Sequence, residues 1–158
     1  MKKVDGAIPP KLLNIILADD DKDDCMLFGD AMKELPVSAN LSIVHNGVQL
    51  MKLLAGKRAH PCDVLFLDLN MPLKNGFECL KEIKCNPDLK HVPVIIFSTS
   101  YEVGVADVLY KNGADFYIRK PPVFLQLKNA IEQAIALTQK KNIVQTTREN
   151  FLIRVIPV

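Results

Sequence analysis

The sequence predicts an α/β fold in which five parallel strands form one doubly wound sheet in the order 2-1-3-4-5, with a helix after each strand. Short, nearly continuous apolar runs alternate with segments whose apolar residues recur at helical spacing. The short runs lack the polar alternation of half-exposed strands, which indicates strands buried on both faces of a parallel sheet. The chain has 158 residues, 49% of them hydrophobic, which is the size and composition of one globular domain.

Each strand is delimited by turn or capping residues. The first apolar run ends in the acidic segment 19–24, and the first helix ends at Pro36. Asn46 is the expected N-cap of the second helix, and Asn112-Gly113 ends the fourth. The predicted strands are residues 12–18, 41–44, 64–67, 94–97 and 116–118. The predicted helices are residues 23–35, 48–54, 77–84, 102–111 and 124–141.

The ends of the chain are distinct from its middle. Residues 1–11 are interpreted as an N-terminal leader, residues 12–141 as the domain, and residues 142–158 as a C-terminal tail with no output domain. The net charge is +2, but the basic residues concentrate at the two ends and the middle is mildly acidic. A broad basic face for nucleic acid is therefore not expected.

No apolar run reaches the ~18 residues of a membrane span, and no signal peptide is evident. We therefore expect a cytoplasmic protein that has no membrane partner and keeps its thiols reduced. The cysteines are Cys25, Cys62, Cys79 and Cys85, and Cys25 and Cys79 are expected to pack as small hydrophobic residues.

The segment 151–158 carries one charge among eight residues and is too apolar to be left in water. Two interpretations stay open. The tail can fold back on its own domain, or it can act as a strand or arm that meets another subunit, which makes a homodimer possible.

Polar residues end four of the five predicted strands. Asp19 and Asp20 follow the first strand, Asp68 the third, Ser98 the fourth and Lys120 the fifth. In an open parallel sheet, ligands bind at the carboxyl ends of the strands where the strand order reverses. With the order 2-1-3-4-5, the first and third strands are neighbours at that point. The three carboxylates should therefore converge, with Ser98 and Lys120 beside them.

Three close carboxylates repel one another unless they are protonated, paired with Lys120 or bound to a cation. A cluster of carboxylate oxygens suits Mg²⁺. Asp68 can then act as a nucleophile towards phosphorus and form an aspartyl phosphate. Mg²⁺, Lys120 and the Ser98 hydroxyl would stabilise the phosphoryl oxygens.

Four stretches carry a resemblance to a known family. They are residues 16–21 (ILADDD), 64–72 (VLFLDLNMP, followed by Gly76), 93–98 (PVIIFS) and 113–121 (GADFYIRKP). Over about residues 11–140 the chain resembles a receiver domain of two-component signalling, of the single-domain response regulator type similar to CheY. This resemblance implies the flavodoxin-like fold of that family.

The resemblance also implies a role for each site residue. Asp68 resembles the phosphoacceptor. Asp19 and Asp20 resemble the metal-binding acids, with Asp20 and Asp68 preferred as direct Mg²⁺ ligands. The backbone carbonyl of Asn70 resembles the third protein ligand. Lys120 resembles the phosphate-contacting lysine.

Ser98 and Tyr117 resemble the pair that rearranges on phosphorylation. We expect Lys120 to pair with Asp68 before phosphorylation, and the Lys120-Pro121 bond to be cis. Tyr117 would then turn inward after phosphorylation. It would reshape a partner-binding face that includes Tyr117, Val105 and Val108.

Two features of the sequence depart from the pattern of the family. Thr99 and Ser100 adjoin Ser98, so the switch hydroxyl can shift by one position, and Pro122 should stiffen the start of the last helix. Simpler interpretations also remain. The acidic segment can serve only as a helix cap through Asp21 or Lys22, and Tyr117 can be an ordinary strand aromatic. The histidines are expected at the surface and are His45, His60 and His91.

The expected function is phosphorelay signalling by a module that is not an enzyme. Its partners would be a histidine kinase or histidine phosphotransfer protein and a downstream protein target. One alternative is a small phosphatase that forms an aspartyl phosphate, although the haloacid-dehalogenase type requires an acid where this chain has Asn70. A second is an intermediate of a multi-step phosphorelay. A degenerate receiver is disfavoured by the intact set of site residues.

Overall fold

The protein, described here by a computed structural model of residues 11–56, 61–140 and 144–155, contains one five-stranded parallel sheet. Its strand order is β2-β1-β3-β4-β5, which confirms the predicted class and topology. The strands are β1 Leu13–Ala18, β2 Ala39–Val44, β3 Val64–Leu67, β4 Val94–Ser98 and β5 Phe116–Arg119. The helices are α1 Lys22–Glu34, α2 Gly47–Gly56, α3 Gly76–Cys85, α4 Val103–Lys111 and α5 Phe124–Thr138. A short 3₁₀ helix, Arg148–Asn150, lies in the tail.

The helices begin where the sequence supplies a side-chain cap. Asp21 caps α1, because its side chain accepts hydrogen bonds from the backbone N–H groups of Asp23 and Asp24. Asn46 caps α2 as predicted, with its side-chain oxygen 2.8 Å from the backbone nitrogen of Gln49. Most boundaries lie within two residues of the prediction. Helix α5 is shorter than predicted and ends at Thr138, not residue 141.

The sheet has a hydrophobic core on each face. On the face covered by α1 and α5, the rings of Phe28, Phe66 and Phe97 pack edge to face, with Phe28 4.9 Å from Phe66 and 5.6 Å from Phe97 between ring centroids. The other core lies under α2, α3 and α4. Strands β3 and β4 are buried along their whole length, as their uniformly apolar sequences predict.

Of the four cysteines, Cys85 is exposed and the other three are buried. Burial of Cys25 and Cys79 confirms their predicted role in packing. Among the helices that the structure describes, none combines the length and the apolar character needed to cross a membrane.

The C-terminal tail adds a short parallel segment to the free edge of β5. The backbone N–H of Tyr117 donates to the carbonyl of Phe151, and the N–H of Ile153 donates to the carbonyl of Tyr117, both at 2.9 Å. This pairing aligns Leu152 with Tyr117. Phe151 is fully buried, and its ring lies 5.4 Å from the ring of Tyr110.

Polar contacts fix the preceding part of the tail against α4. Arg148 donates to the Asp107 carboxylate at 2.7 Å and to the Tyr101 hydroxyl at 3.3 Å. The Tyr110 hydroxyl donates to the carbonyl of Thr146 at 2.6 Å. Of the two interpretations of the tail, the structure therefore supports the one in which it covers its own domain. The last three residues of the predicted apolar segment, 156–158, lie outside the described residues.

We predict that Phe151→Ala lowers the free energy of unfolding by about 3–5 kcal/mol, because it leaves a cavity where a fully buried aromatic ring packs. Denaturant unfolding followed by circular dichroism measures the change. Val144→Ala is the matched control, because the Val144 side chain lies in the same tail and is 83% exposed. Equal stability of the two variants would show that the tail does not belong to the folded core.

Candidate functional site

The acidic cluster lies where the strand order reverses, at the carboxyl ends of β1 and β3. Ala18 pairs with Leu67 across these strands, which places the next residues, Asp19 and Asp68, side by side. Carboxylate oxygens of Asp19, Asp20 and Asp68 all lie within 4.8 Å of one another. Asp19 is fully buried, Asp68 is 7% exposed and Asp20 is exposed. The structure thus brings together the three carboxylates that the sequence predicts to converge.

Lys120 binds two carboxylates, but Asp68 is not one of them. Its Nζ lies 2.7 Å from Oδ2 of Asp19 and 2.8 Å from Oδ2 of Asp24. The expected pairing of Lys120 with Asp68 is therefore wrong for this structure. The reason is that the first turn of α1 brings Asp24 over the end of β5. Asp24 is the site residue that sequence reasoning missed, although its place in the acidic segment one helical turn after Asp20 was a usable signal.

The backbone around Lys120 differs from the expectation in one respect. The described residues contain no cis peptide bond, so the predicted cis bond between Lys120 and Pro121 is wrong. A trans bond is the lower-energy form before proline, and Lys120 reaches both carboxylates with it. Its N–H also donates to the carbonyl of Ser98 at 2.7 Å, which ties the end of β5 to the end of β4.

Burial and charge alter the acidity of the site. Burial raises the pKa of Asp68 to about 7, against the lowering effect of the nearby Lys120. Burial also raises the pKa of Asp19, which the hydrogen bond from Lys120 opposes. Burial would lower the pKa of Lys120, but the contacts with Asp19 and Asp24 outweigh it and raise this pKa to about 12. Lys120 therefore stays charged, while ionisation of Asp68 is costly without a further cation.

The hydrogen bonds within the cluster leave some oxygens better placed for a cation than others. Both oxygens of Asp19 are engaged, one by the N–H of Asp21 at 3.0 Å and the other by Lys120. Asp68 uses one oxygen to accept from the N–H of Leu69 at 2.9 Å. Asp20 and Asp68 thus have the more available oxygens, which fits a hard divalent cation.

The loop after Asp68 approaches the backbone of the site closely. The N–H of Gly76 donates to the carbonyl of Leu69 at 2.9 Å. A Cβ atom on Gly76 would lie only 2.3 Å from the backbone oxygen of Asp68, which accounts for glycine at this position. Asn70 lies exposed in this loop, two residues after Asp68.

Ser98 and Tyr117 are both buried, with 1% of their surface exposed. The Tyr117 hydroxyl donates to the carbonyl of Ser100. Burial raises the pKa of Tyr117, and the neighbouring Ser98 side chain opposes that rise. The expectation that Tyr117 turns inward only after phosphorylation is therefore wrong, since its ring is already inside. The tail residue Phe151 and the ring of Tyr101, 5.0 Å away, cover it.

The other residues of the expected partner-binding face are more exposed than Tyr117. Val108 is 50% exposed and Val105 is partly buried.

His45 and His91 are exposed, as predicted, and His60 lies outside the described residues. The ring of His45 contacts the backbone carbonyl of Asp19 at 3.1 Å, at the rim of the acidic cluster.

Known proteins resemble this chain in both fold and sequence. The family model of the response regulator receiver domain matches residues 15–132. Response regulator Rcp1 of Synechocystis sp. is 33% identical over 120 residues, which cover 73% of this chain and 80% of Rcp1. The phosphorylated cyanobacterial phytochrome response regulator RcpA is 32% identical with a TM-score of 0.71, over 78% of this chain and 91% of RcpA. The Mn²⁺-bound form of Rcp1 is 26% identical with a TM-score of 0.68, over 85% of this chain and 99% of that one.

The family match covers β2 to β5 and β1 from residue 15 onward, and it includes the acidic cluster, Ser98 and Lys120. The identity to Rcp1 extends over most of both chains. Sequence, topology and site geometry agree, and the chain belongs to the response regulator receiver family of two-component signalling.

Proposed function

We propose that this receiver domain accepts a phosphoryl group on Asp68 in a Mg²⁺-dependent reaction, from a histidine kinase or a histidine phosphotransfer protein. A downstream protein then reads the phosphorylated state. The observation that carries the proposal is the cluster of Asp19, Asp20 and Asp68 beside Lys120, whose charged side chain is 9% exposed. The phosphorylated RcpA structure and the Mn²⁺-bound Rcp1 structure support it by analogy.

In the proposed transfer, a carboxylate oxygen of Asp68 attacks the phosphorus atom of a phosphohistidine. An O–P bond forms, the P–N bond breaks, and the electron pair of that bond returns to the departing imidazole. Mg²⁺ held by Asp20, Asp68 and the backbone carbonyl of Asn70 would neutralise charge on the phosphoryl oxygens. Lys120 would change partners and donate to one phosphoryl oxygen, and the Ser98 hydroxyl would donate to another.

The switch follows from the contacts of these groups. The Ser98 side chain neighbours the Tyr117 hydroxyl and opposes the rise in its pKa that burial causes. The backbone of Tyr117 hydrogen-bonds to the tail. When the Ser98 hydroxyl turns towards the phosphoryl group, the surroundings of the Tyr117 hydroxyl change. The packing of Tyr101 and Phe151 against the Tyr117 ring changes with it. We therefore propose that α4 and the tail, rather than an exposed Tyr117, present the signal.

Two other functions are weaker candidates. A phosphatase of the haloacid-dehalogenase type requires an acid two residues after the nucleophile, where this chain has the exposed Asn70. A relay intermediate would use the same chemistry in both directions, and return of the phosphoryl group to a phosphotransfer protein distinguishes it. We place the module in the cytoplasm, as a receiver of residues 12–141 followed by the tail.

Asp68→Asn tests the acceptor, because it keeps the size of the side chain and removes the nucleophilic carboxylate. With Mg²⁺ and a small phosphodonor such as acetyl phosphate, we expect wild type to gain one phosphoryl group and Asp68→Asn to gain none. Intact-protein mass spectrometry measures the addition. Asp30→Asn is the matched control, because Asp30 is an exposed α1 residue outside the cluster.

The same assay tests whether phosphorylation requires Mg²⁺. Asp20→Ala should lose phosphorylation at Mg²⁺ concentrations that saturate wild type, because it removes an available carboxylate from the cluster. Stoichiometric phosphorylation of Asp68→Asn would show that Asp68 is not the acceptor. Full phosphorylation of wild type in a metal chelator would show that the reaction does not require Mg²⁺.

Stability should depend on pH through Asp68. The folded protein holds the Asp68 proton up to pH about 7, whereas an unfolded chain releases it near pH 4. The carboxyl group therefore destabilises the folded state increasingly as pH rises through this window. In chelator, we expect Asp68→Asn to melt higher than wild type by on the order of 5 °C at pH 8, with a smaller difference at pH 4.5. Calorimetry that shows no pH-dependent difference would contradict the shifted acidity of Asp68.

A further inference from the structure

Asp24 contacts the site only through Lys120. Its Oδ2 lies 2.8 Å from the Lys120 Nζ, and its side chain is 29% exposed. The backbone N–H of Asp24 donates to the capping carboxylate of Asp21 at 3.0 Å, which fixes Asp24 in the first turn of α1. Asp24 is not among the three residues whose carboxylates converge within 4.8 Å of one another. It is therefore a partner of the lysine and not a member of the metal-binding cluster.

Lys120 contacts two carboxylates, and only one of them belongs to the cluster that contains Asp68. Asp19 belongs to the same cluster as Asp68, so Lys120 can keep that contact while it binds a group on Asp68. Asp24 comes from α1 and lies outside the cluster. The Lys120 side chain is 9% exposed, so water compensates poorly for the loss of either contact. The contact with Asp24 is the one that a phosphoryl group on Asp68 must displace.

We propose that Asp24 is a positioning residue that holds Lys120 away from Asp68 and thereby weakens the binding of phosphoryl groups there. This inference rests on the proposed role of Asp68 as the phosphoacceptor. Each phosphoryl group bound at Asp68 costs the ion pair between Lys120 and Asp24. Asp24 therefore shortens the lifetime of the phosphorylated state and lowers affinity for phosphoryl analogues.

The effect of the Asp24–Lys120 contact must be separated from the effect of removing one negative charge near the site, because the segment 19–24 contains several carboxylates. Asp23 is the matched control. It lies in the same first turn of α1, carries the same charge and is exposed. No ion pair joins it to Lys120 in the described structure. Asp23→Asn therefore reports the loss of one nearby charge, and Asp24→Asn reports that loss together with the loss of the lysine contact.

The experiment measures binding of beryllofluoride at saturating Mg²⁺ by ¹⁹F NMR. The chain has no tryptophan whose fluorescence could report binding instead. We expect Asp24→Asn to bind the analogue about 10-fold more tightly than wild type, as removal of one competing charge-assisted contact predicts. Asp23→Asn should stay within about 2-fold of wild type. After labelling with acetyl phosphate, Asp24→Asn should also lose its phosphoryl group more slowly than Asp23→Asn.

A second pair of variants tests whether Asp24 acts through Lys120. In a Lys120→Ala background, Asp24→Asn should no longer tighten binding, because the displaced partner is absent. A purely structural role of Asp24 would instead weaken binding and lower the melting temperature in both backgrounds. Asp24→Ala supplies the same comparison if asparagine at this position prevents folding.

The outcomes distinguish the inference from the function on which it rests. If wild type fails to bind beryllofluoride, or Asp68→Asn binds it equally well, the proposed phosphoacceptor is wrong and the inference falls with it. If wild type binds through Asp68 but Asp24→Asn matches Asp23→Asn, the phosphoacceptor stands and the positioning role of Asp24 is overturned. Tighter binding by Asp24→Asn that persists in the Lys120→Ala background also overturns it.

Discussion

The ammonium group of Lys120 is surrounded by carboxylates at the carboxyl edge of the sheet, and the site depends on that arrangement. Asp19 is fully buried and Asp68 nearly so, at a spacing where two charges repel strongly in a protein interior. The ion pair with Lys120 offsets part of this cost for Asp19. The fold supplies the lysine through β5, whose end is tied to β4 by the hydrogen bond from Lys120 to Ser98. Its charge is therefore positioned by the backbone of the sheet.

The same arrangement leaves Asp68 short of positive charge, because Lys120 is shared between Asp19 and Asp24. A carboxyl group whose pKa is raised to about 7 by burial gains most from a cation or from conversion to an acyl phosphate whose oxygens are neutralised. In the proposed phosphorylation, the shortage of positive charge near Asp68 therefore matters as much as the groups that the site holds. The proposed exchange of partners by Lys120 would also link this chemistry to the first turn of α1.

The sequence predicts the strands and the meeting of the three acids, because both follow from one-dimensional signals. Uniform apolar runs identify buried strands, and residues that end neighbouring parallel strands must share an edge. The acidic segment makes Asp24 a candidate partner of Lys120, but the order of the strand ends does not select Asp24 over Asp68. The choice between Asp68 and Asp24 depends on where Asp21 starts α1 and on how the side chains pack in three dimensions. The burial of Tyr117 depends on Phe151, a contact between residues distant in sequence that no local pattern specifies.

The central claim is that Lys120 exchanges Asp24 for a group on Asp68, and a crystal structure of the Mg²⁺–beryllofluoride complex tests it most directly. We predict a beryllofluoride adduct on Asp68 with the Lys120 Nζ within hydrogen-bond distance of a fluorine atom. The contact with Asp24, 2.8 Å in the structure described above, should then be broken. An adduct on Asp68 with Lys120 still bound to both Asp19 and Asp24, or an adduct on a different residue, would contradict the account.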